Sequence, residues 1–540
     1  MRFRFYIPLW LLAGSAFAQM TSFPKPDYFR ETFSKNIPKV ELQAPVRLQD
    51  AVVSDKLELS LKTYIELVMS NNTDIAVQKL SIDTGKNAIL RAFAPFDPIA
   101  TGRFNNSRST TTPTQKFDLL RSPDPLVTLN QPAVFNYTQL LPSGTSYNVT
   151  FSGSKFATSS PNATLNPQLA SNFGVNFSQP LLKNRGAYIN RIFISQARSR
   201  LRKTEYDLRD TVQTLVTTAE NAYWDLILAR ENQRVSEKAL DLADQALKRA
   251  QKELDLGAMS PLDIYQPQQV YATAEIAVSQ AKFTLAQAQN ALRKQIGADL
   301  DPNIRKLPIE LTETVLPPSD TNAIDAEAAV ETALANRPDL KSAGQSLDVD
   351  ELQIRKVRND FLPDLSLTGT YTTQGIGALY DRSGFLAGTG GFSDSLSQMF
   401  GFGYPVWGFG LQLRLPIRNR QASADMADAL VTKKRDMLTV RNVQQQVRLD
   451  ILQAVSQVES SKASVKLAQV ALDFAQKRLD AEQKKYELGT SQIYFVLQAQ
   501  QDLVTAQNTL VQNSVQYRRN LLNLSRRQGT LLDELGVVIQ

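Results

Sequence analysis

The residues best placed to do chemistry are carboxylates at helical spacing: Glu237 with Asp241, and Asp241 with Asp244. Pairs three or four residues apart share a helix face, and two carboxylates held together can divide the roles of general acid and general base. The same spacing is that of ordinary solvated side chains on a charged helix, and the Lys and Arg interspersed around them favour that reading. The chain contains neither His nor Cys. This removes the usual general base, the His-dependent triads, thiolate metal sites and disulfides. The glycine-rich stretch 384–410 lacks the GxxxxGK[ST] spacing of a phosphate loop and reads as a flexible loop between two strands. No enzymatic activity, metal or cofactor is expected. The net charge of +7 is spread among acidic residues, which suits a solvated helical surface and gives no reason to expect a nucleic-acid partner.

The elements that carry these side chains come in two copies. Gly257 and Gly297 return as Gly489 and Gly529, with the same 40-residue separation and an offset of 232. At that offset Gln266, Gln268, Gln269, Thr273 and Ala274 fall on Gln498, Gln500, Gln501, Thr505 and Ala506, and Ala239, Leu240, Asp241 and Ala243 fall on Ala471, Leu472, Asp473 and Ala475. Alternating steps of four and three residues from Leu208 through Val212, Leu215, Ala219, Leu226, Leu240 and Leu247 to Leu254 give a sustained period of 3.5, the signature of a left-handed coiled coil. Val447, Ile451, Ala454, Val458, Val465, Ala468, Leu472 and Leu479 repeat it. Each long helix, the first expected from Arg198 to Leu256, is predicted to turn at its glycine and return, over about 261–295 and 493–528. A shorter helix precedes each unit, about Leu59 to Ala92 and about Ile324 to Asn359, where SNNTDI resembles ANRPDL.

Between short and long helices the period changes to two. Tyr147, Val149 and Phe151, then Phe173, Val175 and Phe177, then Leu365 and Leu367, alternate with small polar residues. The clearest run sets Trp407, Phe409, Leu411, Leu413 and Leu415 against Gly408, Gly410, Gln412 and Arg414. A strand with one wholly apolar face fits a membrane barrel, with those five residues facing lipid, and fits a soluble sandwich as well. Residues 1–18 have the form of a secretory signal, with Arg2 and Arg4 before a short apolar run ending in Ala16 and Ala18. That favours the barrel over the sandwich. About two principal strands per half, with an extra hairpin around Phe135 to Phe151, are too few to close a barrel, so several chains are required. The domain plan is a signal over 1–18, an extended arm over 19–56, a first repeat over 57–300, a linker over 301–323, a second repeat over 324–529 and a tail over 530–540. Whether 107–156 and 375–405 add strands is open.

In this plan the chain resembles the TolC-type outer-membrane efflux proteins. The residues that carry the resemblance are the duplication itself, Phe361-Leu362-Pro363-Asp364-Leu365 entering a strand, Ser178-Gln179-Pro180-Leu181-Leu182 leaving one, Leu256-Gly257-Ala258 with Asp263 beyond it, and Tyr486-Glu487-Leu488-Gly489-Thr490. The resemblance implies a mainly α protein with membrane β structure: a homotrimer whose long helical hairpins form an α-barrel continuous with a 12-stranded outer-membrane β-barrel, four strands per chain. It implies a passive exit duct for a tripartite pump or secretion system, with a periplasmic adaptor and an inner-membrane transporter as partners and outer-membrane lipid around the barrel. Leu256, Gly257, Ala258, Leu488, Gly489 and Thr490 become the adaptor-docking tips, and Asp263 and Tyr486 match positions of a periplasmic constriction.

One departure bears on the gate. Where well-known family members place an Arg and then acidic residues beyond the second tip, this chain has Ser491, Phe495 and Gln498. Phe495 is expected to narrow a hydrophobic iris or, alternatively, to pack between helices. Lys183 and Arg185, and Arg418 and Arg420, follow strands and are expected either to meet anionic lipid or to lie solvated at helix starts. A periplasmic coiled-coil adaptor is the competing reading, although an adaptor needs only one hairpin.

Overall fold

A computed structural model describes residues 45–53, 55–112, 125–161, 163–257, 259–313, 324–380 and 386–537. The expected signal over 1–18, residues 19–44 of the arm, part of the linker and Ala258 lie outside the described residues. Nine helices of nine residues or more occur among the described residues: α1 Leu61–Asn71, α2 Thr73–Phe93, α3 Ile192–Asp255, α4 Tyr265–Gln295, α5 Ala326–Asn336, α6 Pro338–Asp360, α7 Phe392–Phe400, α8 Arg420–Glu487 and α9 Ile493–Gln528. The strands are β1 Val52–Val53, β2 Lys56–Leu59, β3 Ile99–Phe104, β4 Ser107–Thr111, β5 Leu126–Leu140, β6 Ser146–Thr158, β7 Gln168–Pro180, β8 Ile309–Leu311, β9 Asp364–Ile376, β10 Ala378–Tyr380, β11 Leu386–Thr389 and β12 Pro405–Arg414.

The long helices exceed expectation. α3 begins at Ile192, earlier than Arg198, and its 64 residues span about 96 Å at 1.5 Å per residue. Its heptad stripe is buried or half-buried from Leu208 to Leu254. Around Val216, Tyr223 and Ile227 the buried face widens, because there α3 packs on α1 and α9 as well as on its hairpin partner α4. The four glycines that mark the duplication have a physical reason to be glycine: φ is +74° at Gly257, +68° at Gly297, +74° at Gly489 and +77° at Gly529. A side chain in that left-handed region costs about 1 kcal/mol.

Each expected short helix is two helices. Asn72 ends α1 in extended conformation and caps α2 by accepting from the N–H groups of Asp74 and Ile75, while in the second copy Arg337 is extended and Pro338 opens α6. The matching SNNTDI and ANRPDL segments are therefore the same break, made once with an Asx cap and once with a proline. Two other expectations change. The linker contributes β8, which pairs in parallel with Leu57–Leu59 of β2 at the start of the first repeat, while Val52 and Val53 of the arm pair with β2 on its other side. The tail forms a helical turn, Leu531–Glu534, whose Leu531 and Leu532 are buried in the core cluster of Leu57, Leu59, Tyr64, Val212, Tyr223 and Ile296.

The main sheet has seven strand segments in the order β12-β9-β7-β6-β5-β3, with β4 also on β5. β3 and β4 are one edge strand: both pair with β5 in the same register, and the interruption at Asn105 lies opposite Pro132. Proline has no N–H to give, so the ladder keeps only the bond from the Asn105 N–H to the Pro132 carbonyl, 3.0 Å. Six strands result: four principal strands, two per half, and a β5–β6 hairpin at the place expected for an extra one around Phe135 to Phe151, with Phe135 opposite Phe151. The stretch 107–156 adds β4, β5 and β6, and 375–405 adds β10, β11 and α7. The glycine-rich segment is accordingly a packed element: a Cβ on Gly375 would lie 1.9 Å from the Ser395 carbonyl oxygen, and the Thr373 hydroxyl donates to the Met399 carbonyl at 3.0 Å.

Candidate functional site

Registers sort the sheet into two faces. Across one face run Tyr137, Val149, Val175, Tyr371 and Trp407 in a single row, with Tyr147, Phe177, Gly369 and Phe409 in the next. Across the other run Thr138, Asn148, Asn176, Thr370 and Gly408. The polar face is hydrogen-bonded within itself, Asn148 Nδ2 donating to Thr138 Oγ1 at 2.9 Å and Thr150 Oγ1 to Asn136 Oδ1 at 2.8 Å. Trp407, Phe409, Leu411 and Leu413 are 61–79% exposed on the apolar face, and Leu415 continues the stripe one residue past the end of β12. Leaving such a row in water would be unfavourable by about 25 cal/mol per Å². A face of this composition needs an apolar surround.

Four helices run on from this sheet. α2 leads into β3, β7 into α3, α6 into β9 and β12 into α8, and the packing order α2-α3-α6-α8 follows the order of those strands. At the junction Lys183 pairs with Asp360 at 3.4 Å, and Lys356 with the same carboxylate at 2.7 Å. Lys183 thus shares one carboxylate with Lys356 inside the chain, whereas Arg185, Arg418 and Arg420 are exposed.

At the far end of the helices the two hairpin tips have the same shape. Leu256 is 84% and Leu488 78% exposed, and nothing lies near the Cα of either tip glycine on the side where a Cβ would be. Thr490 closes the second tip by donating from its N–H and hydroxyl to the Lys485 carbonyl. Behind the tips the hairpins are clamped to each other. The Tyr486 hydroxyl donates to Glu253, the Arg249 guanidinium lies 4.9 Å from the centre of the Tyr486 ring, and Arg249 pairs with Glu253 at 3.3 Å. Burial, together with the Glu253 carboxylate, pushes the Tyr486 phenol up to about 12. Ala250, Ile264, Ile493 and Leu497 pack beneath this clamp.

Of the expected constriction residues, Tyr486 and Ser491 are engaged and the others face outward in the single chain. Ser491 donates to Glu482 at 3.1 Å, and Lys485 and Ser491 hold that carboxyl below its ordinary range. Asp263, Phe495 and Gln498 are exposed, Phe495 resting edge-on against Tyr494 at 5.3 Å. Asp263 forms no side-chain hydrogen bond or ion pair among the described residues and does not meet Tyr486. Sequence reasoning missed Arg249 and Glu253. The signal was present as divergence between otherwise similar copies: at the 232 offset Glu253 stands where Lys485 does, and Tyr486 where Leu254 does. The carboxylates that opened the sequence argument are surface pairs, Lys248 bridging Asp244 at 2.6 Å and Gln245 donating to Asp241 at 2.9 Å.

Comparison with known proteins agrees with this geometry. The chain is 24% identical over 346 residues to the probable efflux pump outer membrane protein TtgC of Pseudomonas putida, covering 63% of this chain and 65% of that protein. The match therefore spans a little under two thirds of the relative's length. A second relative, cation efflux system protein CusC of Escherichia coli, is 23% identical over 316 residues, covering 58% of this chain and 62% of that one. Among solved structures the Campylobacter jejuni CmeC outer membrane channel superposes with a TM-score of 0.62 at 16% identity, over 92% of this chain and 94% of that one. The family described as outer membrane efflux protein matches residues 143–298 and 329–530, which include the sheet from β6 to β12 and both long hairpins. A two-faced sheet fused to two copies of one helical hairpin is thus the shared plan, and the chain belongs to the outer membrane efflux protein family.

Proposed function

We infer that the chain is the outer-membrane exit duct of a tripartite efflux or type I secretion system. Three copies assemble, their sheets closing a lipid-embedded β-barrel and their helices continuing it as an α-barrel through the periplasm. The observation that carries this reading is the sheet, with rows of apolar and aromatic residues across the middle of one face and polar residues across the other, running directly into long amphipathic helices. No described helix is long and apolar enough to cross a membrane. The sheet is the element fitted to meet lipid, and its polar face lines the passage.

In this reading the passage is passive. The described polar face offers hydroxyls, amides and glycines, with Arg103, Asp364 and Arg414 among them, and an inner-membrane transporter supplies the work. Leu256, Gly257, Ala258, Leu488, Gly489 and Thr490 dock the periplasmic adaptor: two exposed leucines on rigid turns are apolar knobs of the kind that interface pockets accept. Asp263, Tyr486, Ser491, Phe495 and Gln498 form the constriction, with the Tyr486–Glu253–Arg249 clamp tying the two hairpins of one chain and Phe495 narrowing the opening. An adaptor role would leave the second hairpin and the apolar sheet unused. Density-gradient fractionation tests the reading: the chain is expected in outer-membrane fractions as an oligomer that copurifies with an adaptor. Recovery as a water-soluble monomer overturns it.

A further inference from the structure

The resemblance implies four strands per chain, and the sheet holds six. The extra pair is the β5–β6 hairpin, which stands between β3 and β7. It is part of the wall. β5 pairs with β3 and β4 on one side and with β6 on the other over thirteen consecutive residue pairs, from Thr128–Thr158 to Leu140–Ser146, and β6 pairs with β7 from Ser146–Ser178 to Phe156–Gln168. Its turn is seated at the strand–helix junction. Gly144 has φ +91°, a Cβ there would lie 2.5 Å from the Asn184 carbonyl oxygen, and the Gly186 N–H donates to the Ser143 carbonyl at 3.1 Å. Its faces also match their neighbours, Phe135, Tyr137, Val149 and Phe151 lying on the apolar side and Asn136, Thr138, Asn148 and Thr150 on the polar side.

We propose that the assembled barrel is eighteen-stranded, six strands from each of three copies, with β3–β4 of one copy pairing antiparallel to β12 of the next. The proposal rests on the trimeric duct reading and adds its strand number and its contact between subunits. Among the described residues both edges lack a further strand partner and are exposed along nearly their full length. Long exposed edges are templates for another strand. Because the six strands alternate in direction, β3–β4 and β12 run oppositely, so one copy continues the next without a change of pattern. The edges also suit each other in shape: Ala100 and Gly102 give β3 a shallow apolar-side surface, on which the large side chains of β12, Trp407 and Phe409, can lie.

Perimeter gives a second, independent argument. Four helices enter the junction per chain and, at 8–10 Å between axes, occupy roughly 36 Å of circumference. Six strands 4.8 Å apart and tilted by 40° occupy about 38 Å, whereas four occupy about 25 Å. The hairpin therefore lets the β-wall match the helical wall without a taper. The resulting barrel is about 36 Å across between backbones, against about 24 Å for twelve strands, a width suited to bulkier cargo.

The test is single-particle imaging of the full-length oligomer in lipid nanodiscs, with strands counted around the wall. Eighteen strands from three copies are expected. Three copies around twelve strands, with the β5–β6 hairpins outside the wall, would overturn the strand number and leave the duct reading standing. A soluble monomer would overturn both. Because the chain has no Cys, single-cysteine labelling gives an independent readout: Thr150→Cys should react with a membrane-impermeant maleimide much faster than Val149→Cys. Equal rates at the two positions contradict a hairpin set in the wall.

Discussion

At the residue scale, a cluster of ion pairs ties together three helices of the second repeat, α6, α8 and α9. Asp450 on α8 receives Arg337 at 3.1 Å and Arg527 at 2.6 Å, and Arg337 also pairs with Asp339 at 2.6 Å. Burial opposes ionisation of Asp450, yet Gln446 and the two arginines outweigh it and hold its pKa below the ordinary range. A folded value below the unfolded one stabilises the protein above about pH 4, and that contribution is lost as pH falls through the folded value. Asp450→Asn should therefore destabilise the protein by about 2 kcal/mol near neutral pH, read by chemical denaturation, with the difference from wild type shrinking in acid. The opposite sign is expected at Asp350. Burial, and then the charge of Asp436, raise its pKa, with Lys433 and Arg435 acting against the shift. Ionised Asp350 is thus a liability at neutral pH, and Asp350→Asn should raise the melting temperature there, the gain vanishing below the unfolded pKa of about 4. At the proposed constriction, Phe495→Ala should raise the closed-state conductance of the reconstituted oligomer in planar bilayers. An unchanged conductance would mean that Phe495 packs between helices in the assembly.

At the element scale, the hairpin tips make a functional prediction. Leu256→Asp with Leu488→Asp should abolish adaptor copurification while leaving the oligomer intact, because both side chains are exposed and support nothing in the fold. Gly375→Val should dislodge α7 from the sheet and be read as protease sensitivity within 386–402, since the Cβ position is already occupied by the backbone of α7. The long helices, the duplication and the period-two faces were legible in sequence because each repeats one physical constraint many times: a heptad seam, a positive-φ turn, an alternating pleat. The β5–β6 hairpin was only partly legible. Its strands carry Pro132, Gly153 and many Ser, Thr and Asn residues, so hydropathy alternates weakly even though the registers are regular. α7 was hidden for a different reason, since the glycines around it mark close approach between backbones and not flexibility. The clamp of Tyr486, Arg249 and Glu253 joins residues over 230 positions apart, and the heptad pattern that gives each helix says nothing of how one hairpin leans on the other.

At the scale of the whole molecule, the account depends on the apolar face of the sheet lying in lipid. Its exposed row would be costly in water, its polar reverse would be costly in lipid, and the helices that prolong it are amphipathic. The most direct measurement uses tryptophan emission. Beyond the expected signal the chain has two tryptophans, Trp407 on the apolar face at 70% exposure and Trp224 in the helical core at 6%. In vesicles with brominated acyl chains, emission from Trp407 should be strongly quenched, and Trp407→Phe should remove the quenching while Trp224→Phe leaves it in place. Emission that is the same in brominated and ordinary lipid would contradict a membrane-embedded sheet.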